Sequence, residues 1–356
     1  PWTWINKPAH AVEEQDLQAF KLAIDAGVDF VMSEHIAIPS VTEGSELPAS
    51  VEPKLATGWL RDRLGFQGIL TSDDLWYEHV VDRFGAEEVA VMAYEAGHDI
   101  ILKPEDPVKT IGALAAAVRS GRIEEARIDD AVRRILTLKA RLNLHRNRYV
   151  DVEGVGEAVG TPAHLELVQE VADRSLTLLK NEGVLPVAAG TLGSVVNISV
   201  QKDQNDSSPA GLDAKLAEAI PGIRTFTLRP GTGAAVYGPA REAVAGADLV
   251  ILSFFVLRDR NDDATPLRPQ DVAFLQRVLA TKPEKVVAMA YGNPHLIREI
   301  PDVPAFLVGY GEKGWYGNQQ VYFDSFLRAL TGELEPSGKL PVRVSDDYPL
   351  GSGLGY

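Results

Sequence analysis

Three stretches of the first 106 residues follow one grammar, and that repetition restricts the fold more than any other feature. Val28-Asp29-Phe30-Val31-Met32 ends on Ser33-Glu34-His35, Gly68-Ile69-Leu70 ends on Thr71-Ser72-Asp73-Asp74, and Asp99-Ile100-Ile101-Leu102 ends on Lys103-Pro104-Glu105-Asp106. Each apolar run is short, as suits a strand buried on both faces. A glycine precedes each run (Gly27, Gly65 and Gly97), as expected where a helix has just ended. Helical patterns separate the runs at about 12–26, 52–63 and 86–96, and two more follow at about 107–120 and 127–142. Repeated strand-then-helix units predict a parallel sheet.

The polar clusters gather at the carboxyl ends of these strands, where α/β proteins build their sites. A Ser, Thr or Asp there is equally well placed to cap the next helix. Three consecutive strands ending in acid- or His-bearing clusters favour a site.

Residues 143–160 break the pattern and read as a linker, followed by a helix at about 162–174 and the run Leu176-Thr177-Leu178-Leu179-Lys180. A second α/β region begins near residue 185. Its strands are expected at 195–200, 223–228, 249–255, 285–290 and 305–308, with helices at about 212–220, 235–245, 269–280 and 318–331. The chain therefore reads as 1–145, part of a TIM-like catalytic barrel; 146–184, linker and connecting helix; and 185–356, an α/β sandwich domain. Three strand–helix units do not close a barrel, which takes eight strands. An open sheet of three strands keeps an unpaired edge. The first region is thus expected to be the tail of a larger domain, or to complete its sheet through a partner or a second copy.

Composition removes several alternatives. No cysteine is present, so thiolate chemistry and disulfides are excluded. No metal-ligand spacing such as HExxH occurs, and no cofactor motif is complete. Gly231-Thr232-Gly233 lacks the Gly-Lys-Ser/Thr ending of a phosphate loop and reads as a turn. A net charge of −15 argues against nucleic acid or an anionic membrane as the main partner. No apolar run reaches the roughly 18–20 residues of a membrane helix. Both a cytoplasmic and an exported protein fit these features.

Longer stretches carry a family likeness. VMSEHIAIPS (31–40), LPASVEPKLATGWLRDRLGFQGILTSDDL (47–75), EAGHDIILKPEDP (95–107), RIDDAVRRILTLKARLNLHRNR (127–148), VADRSLTLLKNEGVLPV (171–187) and the closing GKLPVRVSDDYPLGSGLGY (338–356) occur in the order and spacing of glycoside hydrolase family 3. More narrowly, the chain resembles the family's two-domain bacterial β-N-acetylglucosaminidases. The resemblance implies a (β/α)8-type barrel followed by an α/β sandwich domain. This chain would then carry barrel strands six, seven and eight and the whole second domain.

It also implies a retaining exo-β-N-acetylglucosaminidase acting on a carbohydrate through a glycosyl-Asp intermediate. The family nucleophile is the Asp after the Ser or Thr that closes strand seven, which here is Asp73. Adjacent strand residues point to opposite faces, so Asp74 is expected to cap the next turn or bond locally. Substrate contacts are expected from His35, Met32, Asp74 and Trp76. His35 reads equally well as a structural histidine, and Trp76 as a packing residue. The acid/base motif of the N-acetylglucosaminidase branch, K-H-F-P-G-H-G-D, is absent, and its Asp-His pair is expected upstream of Pro1. In the β-glucosidase branch a second-domain Glu supplies the proton. The corresponding stretch, Val256–Asp263, contains no Glu, though Asp259, Asp262 or Asp263 could substitute. A β-glucosidase or β-xylosidase of the family, and a non-catalytic sugar- or partner-binding chain, remain open.

Overall fold

A computed structural model describes residues 2–188, 193–203, 205–256, 267–311 and 320–356. The chain divides into two compact units, Pro1–Asp151 and Val152–Tyr356.

In the first unit the strands are short. β1 (Thr3–Trp4) pairs with β3 (Ile36–Ala37), and β2 (Phe30–Met32) pairs with β4 (Ile69–Thr71), both in parallel. Thr71 makes a single parallel bridge to Ile100. The expected third strand therefore reaches one bridge rather than a ladder. The chain leaves it quickly, because Lys103 turns to φ +44° and Pro104 follows. The pair β1–β3 and a helix at Glu78–Phe84 are additions to the expected elements. Strands of two residues are too short to display a period.

Helices flank the strands. Ala86–Ala96 ends at Gly97, whose φ of +123° a side chain rarely adopts. Pro107–Arg119 begins with Pro107 behind Asp106, whose carboxylate accepts from the amides of Val108 and Lys109. The core behind the strands joins Val31, Leu70, Ala56, Leu60, Phe66 and Ala96. Phe30 and Met32, on the other face of β2, are 45% and 53% exposed. The expectation of burial on both faces thus fails for β2, where only Val31's side is buried, and holds for β4, where Ile69 and Leu70 are both buried.

One buried carboxylate ties strand to helix. Asp99 accepts from the Leu70 amide (3.0 Å) and Arg61 (2.7 Å) through Oδ2, and from Arg127 (3.2 Å) and Arg134 (3.0 Å) through Oδ1. Its side chain is fully buried.

The second unit contains a six-stranded sheet in the order β5-β10-β9-β8-β6-β7. The strands are β5 (Thr177–Asn181), β6 (Val195–Gln201), β7 (Arg224–Leu228), β8 (Leu249–Phe255), β9 (Val286–Tyr291) and β10 (Ala305–Gly309). All neighbours are parallel except β5, which runs antiparallel to β10. The run assigned to the linker region at 176–180 is therefore an edge strand of this sheet. Val196, Ile198, Val250 and Leu252 pack against the helices Ala234–Gly246 and Pro269–Thr281. Val195, Ile251, Met289 and Leu307 pack against Ser208–Ala219 and Gln320–Thr331. Burial on both faces explains the continuous apolar runs of these strands.

Candidate active site

The site is assembled where β2, β4 and the 100–103 segment end. Ser33 donates its amide to the Thr71 carbonyl (3.0 Å), and its hydroxyl meets His98 Nε2 at 2.6 Å. His98 Nδ1 lies 2.8 Å from the Ala93 carbonyl, which can only accept. Nδ1 therefore donates there, and in the neutral ring Nε2 accepts Ser33's proton. Burial disfavours its charged form and lowers its pKa from 6.5 to about 4.

Beyond Thr71 the chain is zipped to the 100–103 segment. The Ser72 amide donates to Ile100 O (3.1 Å), the Leu102 amide to Ser72 Oγ (2.9 Å), the Leu75 amide to Leu102 O (3.1 Å) and the Trp76 amide to Lys103 O (3.1 Å). Asp73 sits inside this zipper and is half-buried. Its Oδ1 accepts from the Asp74 amide at 2.7 Å, and its Oδ2 has no hydrogen-bond partner among the described residues.

Asp74 is engaged differently. Oδ1 accepts from the Trp76 amide (2.9 Å), an Asx turn, and Oδ2 receives Lys103 Nζ at 2.5 Å. The two acids thus divide, one with a carboxylate oxygen unbonded and one closing a turn.

His35 is 5% exposed. Nε2 lies 2.9 Å from the Asp74 carbonyl, so it donates there, and Nδ1 accepts from Ser50 Oγ at 2.8 Å. Both ring nitrogens are committed to protein partners, which leaves none for a sugar hydroxyl. The ring stacks on Tyr77 at 5.1 Å and 9°. Trp76 is 58% exposed, with Lys103 Nζ 5.6 Å from its ring centroid. Met32 is exposed and borders an apolar cavity of about 180 Å³ that also touches Phe20, Ile36 and Glu34. Asp73 does not line that cavity.

A second cavity, of about 460 Å³, opens at the amino ends of β2 and β4, beside Asp29, Gly68, Arg134 and Arg141. Its three arginines already pair, Arg133 with Asp130, Arg134 with Asp99 and Arg141 with Asp29. Chemistry in strand–helix folds sits at the carboxyl ends, so the candidate site is taken at Asp73 rather than at this cavity. Among the described residues no three His, Cys, Asp or Glu side chains are grouped to hold a metal ion, and no helix is long and apolar enough to cross a membrane. Asp259, Asp262 and Asp263 lie outside the described residues.

Sequence reasoning missed Lys103, Ser33, Ser50 and His98. The polar cluster at Lys103–Asp106 was the visible signal for Lys103. Nothing in the sequence announced the pairing of Ser50 with His35 across 15 positions.

These strand ends and the six-stranded second unit define an α/β protein of two units, and comparison with known proteins gives the family. Residues 1–138 match the N-terminal domain of glycosyl hydrolase family 3, and residues 176–350 match its C-terminal domain. The chain belongs to glycoside hydrolase family 3. It is 30% identical to a β-N-acetylglucosaminidase/β-glucosidase of Cellulomonas fimi, over 93% of this chain and 61% of that protein. It is 25% identical to a lysosomal β-glucosidase of Dictyostelium discoideum, over 84% of this chain and 40% of the relative. Among solved structures, a family 3 β-N-acetylglucosaminidase from a Paenibacillus species superposes with a TM-score of 0.77 at 26% identity. That match covers 96% of this chain and 63% of the other. The chain thus spans less than two thirds of these relatives. The fold class is the family's, a (β/α)8-type barrel portion followed by an α/β sandwich domain.

Proposed function

We propose that this chain is part of a retaining exo-β-N-acetylglucosaminidase in which Asp73 is the nucleophile. The observation that carries this reading is the state of Asp73. It is half-buried at the end of β4, oriented through one oxygen by the Asp74 amide and unbonded at the other. A nucleophile needs a fixed direction and an available lone pair, and a strand end with a backbone donor provides both.

In this reading Asp73 Oδ2 attacks the anomeric carbon while the bond to the leaving oxygen breaks and an acid delivers a proton to that oxygen. Water, deprotonated by the same group, then cleaves the glycosyl ester and restores the Asp73 carboxylate. Trp76, at the exposed rim, supplies an aromatic face for a sugar ring. His35 acts through the Asp74 carbonyl rather than on substrate.

A second reading is a β-glucosidase or β-xylosidase of the family. It is favoured by relatives named for those activities, including a putative β-xylosidase of Formosa agariphila at 29% identity. The deciding experiment compares the full-length gene product on 4-nitrophenyl N-acetyl-β-glucosaminide, β-glucoside and β-xyloside, with Asp73→Asn and Asp74→Asn alongside. Turnover of the N-acetylglucosaminide that Asp73→Asn reduces by about 10³-fold or more, with Asp74→Asn far milder, supports the reading. Unchanged turnover in Asp73→Asn sinks it, and a clear preference for the glucoside or xyloside transfers the substrate to the second reading.

A further inference from the structure

Lys103 combines features that are each unusual for a lysine at a strand end. Its backbone is left-handed at φ +44°, a region that non-glycine residues seldom occupy. Such a conformation persists only where surrounding contacts over-determine it. Those contacts all go to one place. The ammonium meets Asp74 Oδ2 at 2.5 Å and stands 5.6 Å from the Trp76 ring centroid, while the Lys103 carbonyl accepts the Trp76 amide at 3.1 Å.

We propose that Lys103 is a positioning residue that pins the Asp74–Trp76 turn and thereby fixes the direction of the Asp73 carboxylate. The proposal rests on the reading of Asp73 as nucleophile. The linkage is continuous. Lys103 Nζ holds the Asp74 carboxylate, whose other oxygen accepts the Trp76 amide and closes the Asx turn. That turn sets the direction of the Asp74 amide, which is the donor to Asp73 Oδ1. His35 holds the same turn from behind, through the Asp74 carbonyl. If the ammonium is removed, the Asp74 carboxylate keeps only the Trp76 amide among these partners. The turn then rests on His35 and on backbone bonds, the Tyr77 amide to the Asp74 carbonyl (3.2 Å) and the Leu75 and Trp76 amides to Leu102 and Lys103, and the donor to Asp73 is held less firmly.

The ion pair is well exposed, 59% on Lys103 and 35% on Asp74. Exposed pairs add little to global stability. Lys103 therefore acts on local geometry, which separates the proposal from a merely structural role.

The test uses the full-length gene product with Lys103→Met, Lys103→Gly and Lys103→Arg. Lys103→Met keeps the apolar stem without the charge. Lys103→Gly relieves the left-handed backbone and also lacks the ammonium. Lys103→Arg retains a cation. Two readouts are taken: amide hydrogen exchange at Asp74 and Trp76, and kcat and KM on 4-nitrophenyl N-acetyl-β-glucosaminide. The expected result is exchange faster by about tenfold or more in Lys103→Met and Lys103→Gly, with kcat down about tenfold, KM nearly constant and the unfolding midpoint unmoved. Lys103→Arg is expected to recover most of both. Wild-type exchange at Asp74 and Trp76 in Lys103→Met overturns the proposal, as does a lower kcat without faster exchange. Wild-type turnover in Asp73→Asn refutes the nucleophile instead, and the exchange readout still decides whether Lys103 holds the turn.

Discussion

His35 Nε2 donates to the carbonyl of Asp74 across 2.9 Å, so a histidine at the end of one strand holds the backbone beside the candidate nucleophile at the end of the next. Its other nitrogen accepts from Ser50, a hydroxyl with no solvent exposure. His35→Ala strands that hydroxyl, leaves the Asp74 carbonyl with the Tyr77 amide alone (3.2 Å), and removes the ring stacked on Tyr77. Urea unfolding is expected to show a loss of about 2 kcal/mol, since a buried polar group left unpaired costs about 1–3 kcal/mol. On the proposed reading, turnover is expected to fall through kcat more than through KM, because the ring is bonded to the turn that carries the donor to Asp73. A stability within about 0.5 kcal/mol of the wild type refutes this account of His35.

Asp99 gives the second prediction. One carboxylate serves Arg61, Arg127, Arg134 and the Leu70 amide. Asp99→Asn leaves three guanidinium groups without their counter-charge, one of them on Arg61 with a side chain only 12% exposed. Removing one partner of a buried ion pair costs about 3–5 kcal/mol. Chemical denaturation is expected to show a loss in that range, together with weaker protection of the Leu70 amide to hydrogen exchange. A neutral effect means that the arginines are solvated and that the network does not tie β4 to the helix Glu125–Arg141.

The sequence announces some of this and hides the rest, for physical reasons. Four of the five strands expected in the second unit, β6, β8, β9 and β10, are legible because they are buried on both faces and read as near-continuous apolar runs, whereas β7 is an edge strand whose apolar residues Phe226 and Leu228 alternate with threonines. Asp73 is legible as a candidate through its place after Thr71-Ser72 and the family likeness. The pair β1–β3 is not legible, because two residues carry no periodicity. The roles of His35 and Lys103 are also hidden. Both depend on contacts across long separations, 39 positions from His35 to Asp74 and 29 from Lys103 to Asp74, which no local pattern encodes. Met32 illustrates a half-legible residue. Its strand is correct, but the face it presents is exposed, which the expectation of a strand buried on both sides did not foresee.

Gly68 supplies a third prediction. It immediately precedes β4, and a Cβ there would lie 2.5 Å from the Asp29 carbonyl oxygen and 2.7 Å from the Phe66 ring. The Asp29 oxygen also accepts the Ile69 amide, so the obstruction is backbone that already holds the strand. Gly68→Ala must displace the start of β4 and with it the Asp73 end. The expected cost is about 2 kcal/mol, within the usual range for overpacking. Thermal unfolding measures it, and an unchanged midpoint shows that the strand can shift freely at this point.

The last prediction concerns pH. His98 is fully buried, with Nδ1 on the Ala93 carbonyl, Nε2 on Ser33, and Asp99, Arg127 and Arg61 as its charged neighbours. Burial lowers its folded-state pKa from 6.5 to about 4, so the native protein excludes a proton that the unfolded chain binds. Above pH 6.5 both states are neutral and the group contributes nothing. As pH falls from 6.5 towards 4 the unfolded state is protonated first, and stability declines by about 1.4 kcal/mol per pH unit. Below about 4 both states carry the proton and the decline from this group stops. Between pH about 7.5 and about 5 the wild type should therefore lose about 2 kcal/mol more than His98→Asn, whose amide does not titrate. Urea unfolding of both proteins at the two pH values measures the difference, which cancels the titration common to both chains. Equal losses would show that His98 takes up its proton in the folded state as readily as in the unfolded one, and would refute the neutral His98–Ser33 clamp between the end of β2 and the helix Ala86–Ala96.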